Sequence, residues 1–409
     1  MGIREERALV VQLRRPRLRP RRIDRAYVLG LLVALAAAVA TGLATYHVAA
    51  AYKSYVSDEI YYAGTAAKMD LYMFDTDSPV PPPPRQLAYG YWNLEHPPLA
   101  KYILAIAEWL GRGSYMSYRW PSIIMTSLMP LIAYLAVTYP FPDRDARRLA
   151  LAGAVASAIF PLESIVRNEG GLALLDVYAA FFTMLSLAFA MQDRYLLAAF
   201  FAGLAAASKE TAVPIVLAVI VAYYLNSRSP RRARLLGSLV LLALPAALFL
   251  ASYLPLASYL GPQAVVSFVG TAKWDLASRP SGPTPSQPIE WFLGINPMYF
   301  TLTYVEAKTS VGLKTIRVVG GLAARMTPAI EIPALALVIL SALSSAWSRR
   351  VPRDPAFWYY VIELLGFYAA YLAGNHTLYS MYAIIFVPMV SILWAELAYI
   401  LSRSVKVVW

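Results

Sequence analysis

Cysteine is absent from this 409-residue chain, which excludes disulfide staples and thiolate metal centres and leaves the redox compartment unreadable from thiols. Histidine occurs three times, at His47, His96 and His376, with no two at ligand spacing, so a histidine-built zinc site has little support. Charge is scarce: 15% of residues carry one, where an ordinary soluble domain has about 25%. Acids are scarcer than bases, 24 against 36, for a net charge of +12. No glycine-rich phosphate loop and no hydrolase-like Ser/His/Asp order is present, so soluble nucleotide-activated donors are not expected. What fills the chain is apolar: 59% of residues are hydrophobic and the mean hydropathy is +0.52. An all-α polytopic integral membrane protein follows.

The surplus cations fall in short runs between apolar stretches and not along one continuous face, which fits membrane orientation and not nucleic-acid binding. Residues 1–26 hold nine arginines and read as a cytoplasmic basic tail before the apolar run Tyr27–Ala50, an uncleaved anchor. Further stretches of spanning length or near it lie at about 119–138, 148–166, 174–191, 195–208, 211–225, 235–258, 330–347, 356–373 and 378–401. Together they predict about 10–11 transmembrane helices. Threading them alternately from a cytoplasmic N-terminus puts Arg144/Arg147/Arg148, Arg194, Arg228/Arg231/Arg232/Arg234, Arg349/Arg350/Arg353 and Arg403/Lys406 inside, as the positive-inside rule requires. The expected organisation is a membrane core over 27–258 containing an external loop at 51–118, a second long external loop at 259–327, and C-terminal transmembrane helices over 328–409. No internal repeat is evident.

In the first external loop, Ser57 is expected to N-cap a surface helix with apolar positions at Ile60, Ala63/Gly64, Ala67, Leu71 and Phe74, placing Asp58 and Glu59 in its first turn. Pro97-Pro98 open a second helix with Leu99, Tyr102/Ile103, Ile106 and Leu110 on one face and Lys101 and Glu108 on another. About 14 residues reach only ~21 Å, short of a ~30 Å hydrocarbon core, so both helices are expected at the interface. The proline run 78–84 between them reads as a stiff spacer.

Carboxylates at span ends in so apolar a chain are functional candidates, since each costs about 2.5–3.5 kcal/mol if drawn to the bilayer centre. Asp58 leads them. Glu59 points elsewhere, because adjacent helical residues diverge by about 100°, and is assigned to orienting or binding. Asp176, Lys209 and Arg119 come from separate hairpins to the same outer leaflet, which suits an anionic lipid headgroup. The plain alternative is that Arg119 and Lys209 snorkel to headgroups and Asp176 pairs with either. Asp75-Thr76-Asp77 has an acid-x-acid form that chance often supplies; the expectation is no cofactor and no metal site, with a divalent ion as the alternative. The Tyr and Trp of the loop read as an interfacial belt before they read as sugar platforms.

Ser57-Asp58-Glu59 with Tyr61-Tyr62, then His96-Pro97-Pro98-Leu99-Ala100-Lys101, Arg119-Trp120-Pro121-Ser122, Leu174-Leu175-Asp176 leading into Phe181-Phe182, and Ser208-Lys209 together resemble the dolichyl-phosphate-mannose protein mannosyltransferase family. That wider group includes the lipid A aminoarabinose transferases and has the C-type glycosyltransferase fold. Ser286-Gln287-Pro288-Ile289-Glu290-Trp291 resembles the family's Trp-containing stretch. The resemblance covers about 50–300. It implies inverting transfer of a mannose-like hexose from a polyprenyl-phosphate donor to a hydroxyl acceptor on the extracytoplasmic face. Asp58 would be the general base; Arg119, Lys209, His96 and Lys101 would serve the donor and its phosphate; Glu59, Asp176 and Trp291 would support the site. The acceptor is protein Ser/Thr, or else a lipid or glycan. A secondary transporter is the alternative of another class, but it would place charges near the midplane of repeated halves.

Overall fold

The computed structural model describes residues 25–74, 92–111, 114–139, 145–264, 285–301, 303–308 and 314–404, with a few positions between 265 and 284. The basic tail up to residue 24, the proline run and Asp75-Thr76-Asp77 lie outside the described residues. In chain order the helices are α1 (Arg25–Ala51), α2 (Glu59–Phe74), α3 (Leu99–Gly111), α4 (Tyr115–Thr138), α5 (Ala146–Leu162), α6 (Ser164–Glu169), α7 (Leu175–Ala190), α8 (Tyr195–Ser208), α9 (Val213–Asn226), α10 (Arg231–Ser252), α11 (Leu254–Leu260), α12 (Pro288–Phe292), α13 (Pro328–Ser348), α14 (Pro355–Ala373) and α15 (Val387–Ser404). Short 3₁₀ turns at Glu210–Ala212 and Ser380–Phe386 lead into α9 and α15.

Among the described residues, six helical stretches are long and apolar enough to cross a membrane: Arg25–Ala51, Tyr115–Thr138, Arg231–Leu260, Pro328–Ser348, Pro355–Ala373 and Ser380–Arg403. The other four expected spans are the shorter helices α5, α7, α8 and α9, of 17, 16, 14 and 14 residues. Helix α7 is buried almost all round and packs on α4 and α8. Around it, α1 packs on α4 and α5, α10 on α8, α9 on α14, and α15 on α5.

Packing follows the chemistry of a bilayer, in which apolar side chains gain nothing by turning inward and small residues bring backbones close. Helix α1 buries Gly30, Ala34, Ala37, Thr41, Thr45 and Ala49. Its Leu29, Leu32, Val39 and Leu43 face outward. The Thr41 and Thr45 hydroxyls donate back to the Ala37 and Thr41 carbonyls, so neither reaches the hydrocarbon unpaired.

In the segment expected as the first external loop, the two faces of α3 are as expected and the cap of α2 is not. Helix α3 turns its small and charged residues inward, burying Ala100, Lys101, Leu104, Ala105 and Glu108, and leaves Ile106, Trp109 and Leu110 exposed. Its apolar stripe is thus the outer face, the reverse of a water-soluble helix. Helix α2 starts at Glu59, and Ser57 has a left-handed φ of 52° that no N-cap adopts. Asp58 is the capping position, its carbonyl accepting from the Tyr61 and Tyr62 amides.

The segment expected as the second external loop adds two antiparallel ribbons to the expected all-α fold: β1 (Met298–Tyr299) with β4 (Ala323–Ala324), and β2 (Thr303–Lys308) with β3 (Lys314–Gly320). Residues beyond the second ribbon are stitched to α6. Asn168 Nδ2 donates to the Ala323 carbonyl, Ser164 Oγ to the Arg325 carbonyl, and the Thr327 amide to Glu163 Oε1 at 2.7 Å.

Candidate active site

Capping α2 fixes where Asp58 points. Its Oδ2 accepts from the Tyr62 hydroxyl at 3.4 Å, one helical turn on. Tyr62 is buried, and its oxygen accepts in turn from Lys209 Nζ at 3.2 Å. Lys209 closes the turn between α8 and the 3₁₀ helix before α9. Its ammonium lies 3.3 Å from Asp176 Oδ2 and between two rings, with the Tyr62 and Tyr382 centroids 5.5 and 5.4 Å away. A polar line therefore runs Asp176, Lys209, Tyr62, Asp58. It joins the start of α7, the end of α8 and the start of α2. Such a line holds the Asp58 carboxylate in one orientation.

Glu59, one residue on, faces away from it. Its two oxygens accept from Arg119 Nε at 2.9 Å and Arg119 Nη2 at 2.6 Å, from the Val56 amide at 2.8 Å and from the Ala173 amide at 2.7 Å. Arg119, in the second turn of α4, also donates to the carbonyls of Ala49, Tyr52 and Ser54. These five bonds use every N–H a guanidinium has. Both groups are about 1% exposed. Arg119, expected to hold a lipid phosphate, has every donor taken up inside the chain and ties the α1–α2 connection to α4.

Lys101, expected to serve the donor, is likewise engaged within the chain. It is fully buried, and its ammonium donates to the carbonyls of Asn93 and His96. Burial pushes it down to about 7. It holds the loop from which His96 projects. The His96 ring sits edge-on to Tyr62, centroids 5.8 Å apart, and its Nδ1 lies 2.9 Å from the Glu210 carboxylate.

Trp291 stands behind this cluster. Its indole Nε1 donates to Ser286 Oγ at 2.9 Å, and its ring meets Phe367 and Tyr382 edge-on. Tyr382 is the ring over Lys209, so α12 and the last 3₁₀ turn form the far wall.

The structure thus brings Asp58, Tyr62, His96, Asp176, Lys209 and Glu210 into one cluster. It sets Glu59 with Arg119, and Lys101, just outside as supports. Tyr62, Tyr382 and Glu210 were not singled out as site residues in the sequence. Glu210 follows Lys209 directly, a signal of the same kind that pointed to Lys209.

What the cluster can do chemically turns on which acid is available. Glu59 is saturated and Asp176 is buried against Lys209. Asp58 is half-buried, and the described residues offer it no partner besides Tyr62. It is the carboxylate with an oxygen left to accept a proton.

Comparison with known proteins gives this geometry a context. Residues 95–258 match the family model described as dolichyl-phosphate-mannose-protein mannosyltransferase. A polyprenol-phosphate-mannose protein mannosyltransferase of Mycolicibacterium smegmatis is 28% identical over 108 residues, 26% of this chain and 19% of that protein. Among solved structures, ArnT of Cupriavidus metallidurans bound to undecaprenyl phosphate superposes with a TM-score of 0.55 at 16% identity, covering 91% of this chain and 59% of that one. The Archaeoglobus fulgidus oligosaccharyltransferase superposes with a TM-score of 0.54 at 14% identity, covering 92% and 51%. The chain therefore spans somewhat over half the length of these structural relatives, and it shares their fold.

Proposed function

We propose, from the premise that this chain belongs to the C-type glycosyltransferases that resemble the protein mannosyltransferases, that it moves a hexose from a polyprenyl-phosphate donor to a hydroxyl on the extracytoplasmic side of a membrane. The observation that carries this reading is the half-open Asp58 carboxylate at the end of a buried polar line. Asp58 accepts the proton of the acceptor hydroxyl as its oxygen attacks the anomeric carbon from the face opposite the phosphate, inverting the centre. Phosphate is a good leaving group and departs without a proton, so one carboxylate suffices, unlike the paired acids of a glycosidase. Lys209 has a third N–H beyond those facing Tyr62 and Asp176, and it stabilises the departing oxyanion. Arg119 and Lys101 act from behind, holding α2 and the His96 loop. No cofactor is required by this chemistry.

Mannose as the sugar and a protein hydroxyl as the acceptor are supported by the name of the mycobacterial relative. A lipid-linked donor is supported by the undecaprenyl phosphate bound to ArnT and by the dolichol-phosphate and inhibitory peptide in an Archaeoglobus fulgidus oligosaccharyltransferase complex. A glycan or lipid acceptor would use the same base. Transport is disfavoured because the ionic cluster sits at span ends and not at half-broken helices near the midplane.

The test is radiolabelled sugar transfer from mannosyl polyprenyl phosphate in membranes that contain the protein. Asp58→Asn should abolish product while the protein inserts and purifies normally. Retention of more than about a tenth of wild-type turnover would overturn the assignment, since loss of a general base costs roughly 10²–10⁴-fold.

A further inference from the structure

One carboxyl beside this cluster has no role in the reaction as described. Glu169, the last residue of α6, is fully buried, and neither of its oxygens has a hydrogen-bond partner. The charges that act on it are those of Asp176, Lys209 and Asp58. A buried carboxyl without a partner is destabilising by about 1–3 kcal/mol or more, so its retention asks for a reason.

The backbone around it cannot relax to find one. Gly170's carbonyl accepts from Thr126 Oγ1 on α4 at 2.8 Å, Ala173's amide donates to Glu59 at 2.7 Å, and Asn168's side chain holds Ala323 at 2.9 Å. Gly171 packs so closely that a Cβ there would lie 2.3 Å from the Thr45 carbonyl oxygen of α1. Four separate elements fix the segment 168–173, which carries Glu169 and leads to Asp176.

Among the described residues, three other buried carboxyls have no hydrogen bond on either oxygen: Asp176, which lies in an ion pair with Lys209, Glu331 and Glu363. Glu331 lies beside Glu163, and Glu363 in α14 has no charged neighbour. Of the described ones without an ion-pair partner, Glu169 is the one on which the Asp58 charge acts.

Resting on the transferase reading above, we propose that Glu169 is a specificity-determining residue of the donor site that binds a hydroxyl of the transferred sugar. Burial, reinforced by Asp176 and opposed by Lys209, lifts its carboxyl well above the ordinary range, towards the protonated form. A neutral carboxyl has one O–H donor and one C=O acceptor, which matches a hydroxyl, itself both donor and acceptor. A phosphate offers acceptors alone and suits Lys209 instead. The donor's two halves are thereby divided between two neighbouring side chains. Lys209 and Asp176 are as enclosed as Glu169, so donor binding at Glu169 requires the side chains over all three to part.

The experiment is equilibrium binding to purified protein in lipid nanodiscs, comparing mannosyl polyprenyl phosphate with sugar-free polyprenyl phosphate. Glu169→Ala should weaken the mannosyl lipid about tenfold, the equivalent of one good hydrogen bond, and leave the sugar-free lipid within about twofold. Glu169→Gln, which keeps a donor and an acceptor in the same volume, should stay within about threefold of wild type for both. A series of mono-deoxy mannosyl donors supplies a reading that needs no variant to fold: one of them should bind wild type about tenfold more weakly, matching the alanine variant's loss. Equal loss of both lipids in Glu169→Ala, no loss of either, or a deoxy series that wild type does not distinguish would overturn the proposal while leaving the transferase reading intact. A wild-type protein that binds neither lipid would sink that reading, and this inference with it.

Discussion

At position 119 a guanidinium meets two carboxylate oxygens and three main-chain carbonyls, all in a region that excludes water. Removing one partner of such a pair strands the other charge, which is destabilising by about 3–5 kcal/mol. Arg119→Ala and Glu59→Gln should each lower the thermal midpoint of detergent-solubilised protein sharply. Arg119→Lys should rescue little, because three donors on a point charge cannot serve five acceptors set around a planar fork. A variant with wild-type stability and a raised donor requirement would instead restore Arg119 to the phosphate. Tyr62→Phe makes the opposite kind of prediction. It deletes only the hydroxyl between Lys209 and Asp58, so stability should hold while kcat falls about tenfold with little change in KM. Asp58, Glu59, Arg119, Asp176 and Lys209 were legible in the sequence because ionised groups stand out at the ends of apolar spans. Tyr62 was not, being one of 29 tyrosines in a membrane protein where such rings are ordinary at the interface. The main-chain partners of Arg119 were hidden too, since backbone carbonyls leave no trace in a residue pattern.

Elements matter here by what they pin. The turn between α6 and α7 passes Gly170 and Gly171 between α1 and α4. Gly171→Ala would drive a methyl into the Thr45 carbonyl, overpacking costing about 1–3 kcal/mol. Because the same turn carries Glu169 and leads to Asp176, donor binding should weaken along with thermal stability, measured side by side. Helix α3 offers a pH signature. Lys101 titrates at about 7 in the folded chain against 10.5 for the free side chain. Between those values the unfolded state binds the extra proton, so stability rises with pH from about 7 to 10.5 and is flat below. Thermal midpoints taken across that window should climb for wild type and climb less for Lys101→Met. The periodicity of α3 was legible, and which side faced inward was not. A moment shows two unlike faces, but only the solvent decides which is turned out, and here that solvent is lipid.

On the scale of the whole molecule the decisive quantity is orientation, because the proposed reaction needs the cluster on the side away from the cytoplasm. The argument for that side is the distribution of arginine: Arg194, Arg228, Arg231, Arg349 and Arg403 all fall at one set of helix ends, while Asp58, His96, Asp176 and Lys209 fall at the other. Each Lys or Arg in a short loop favours the cytoplasmic side, so the separation is strong. The absence of cysteine makes it directly measurable, since every thiol in a variant is an introduced one. Lys53→Cys and His376→Cys place exposed thiols on the side of the cluster, and Ser229→Cys and Arg350→Cys place them on the arginine side. A membrane-impermeant maleimide applied to intact cells should label the first pair at once and the second only after permeabilisation. Labelling in the reverse order would put Asp58 in the cytoplasm, where a base at that position would face acceptors made before export, and the extracytoplasmic transfer proposed for it would have to be given up.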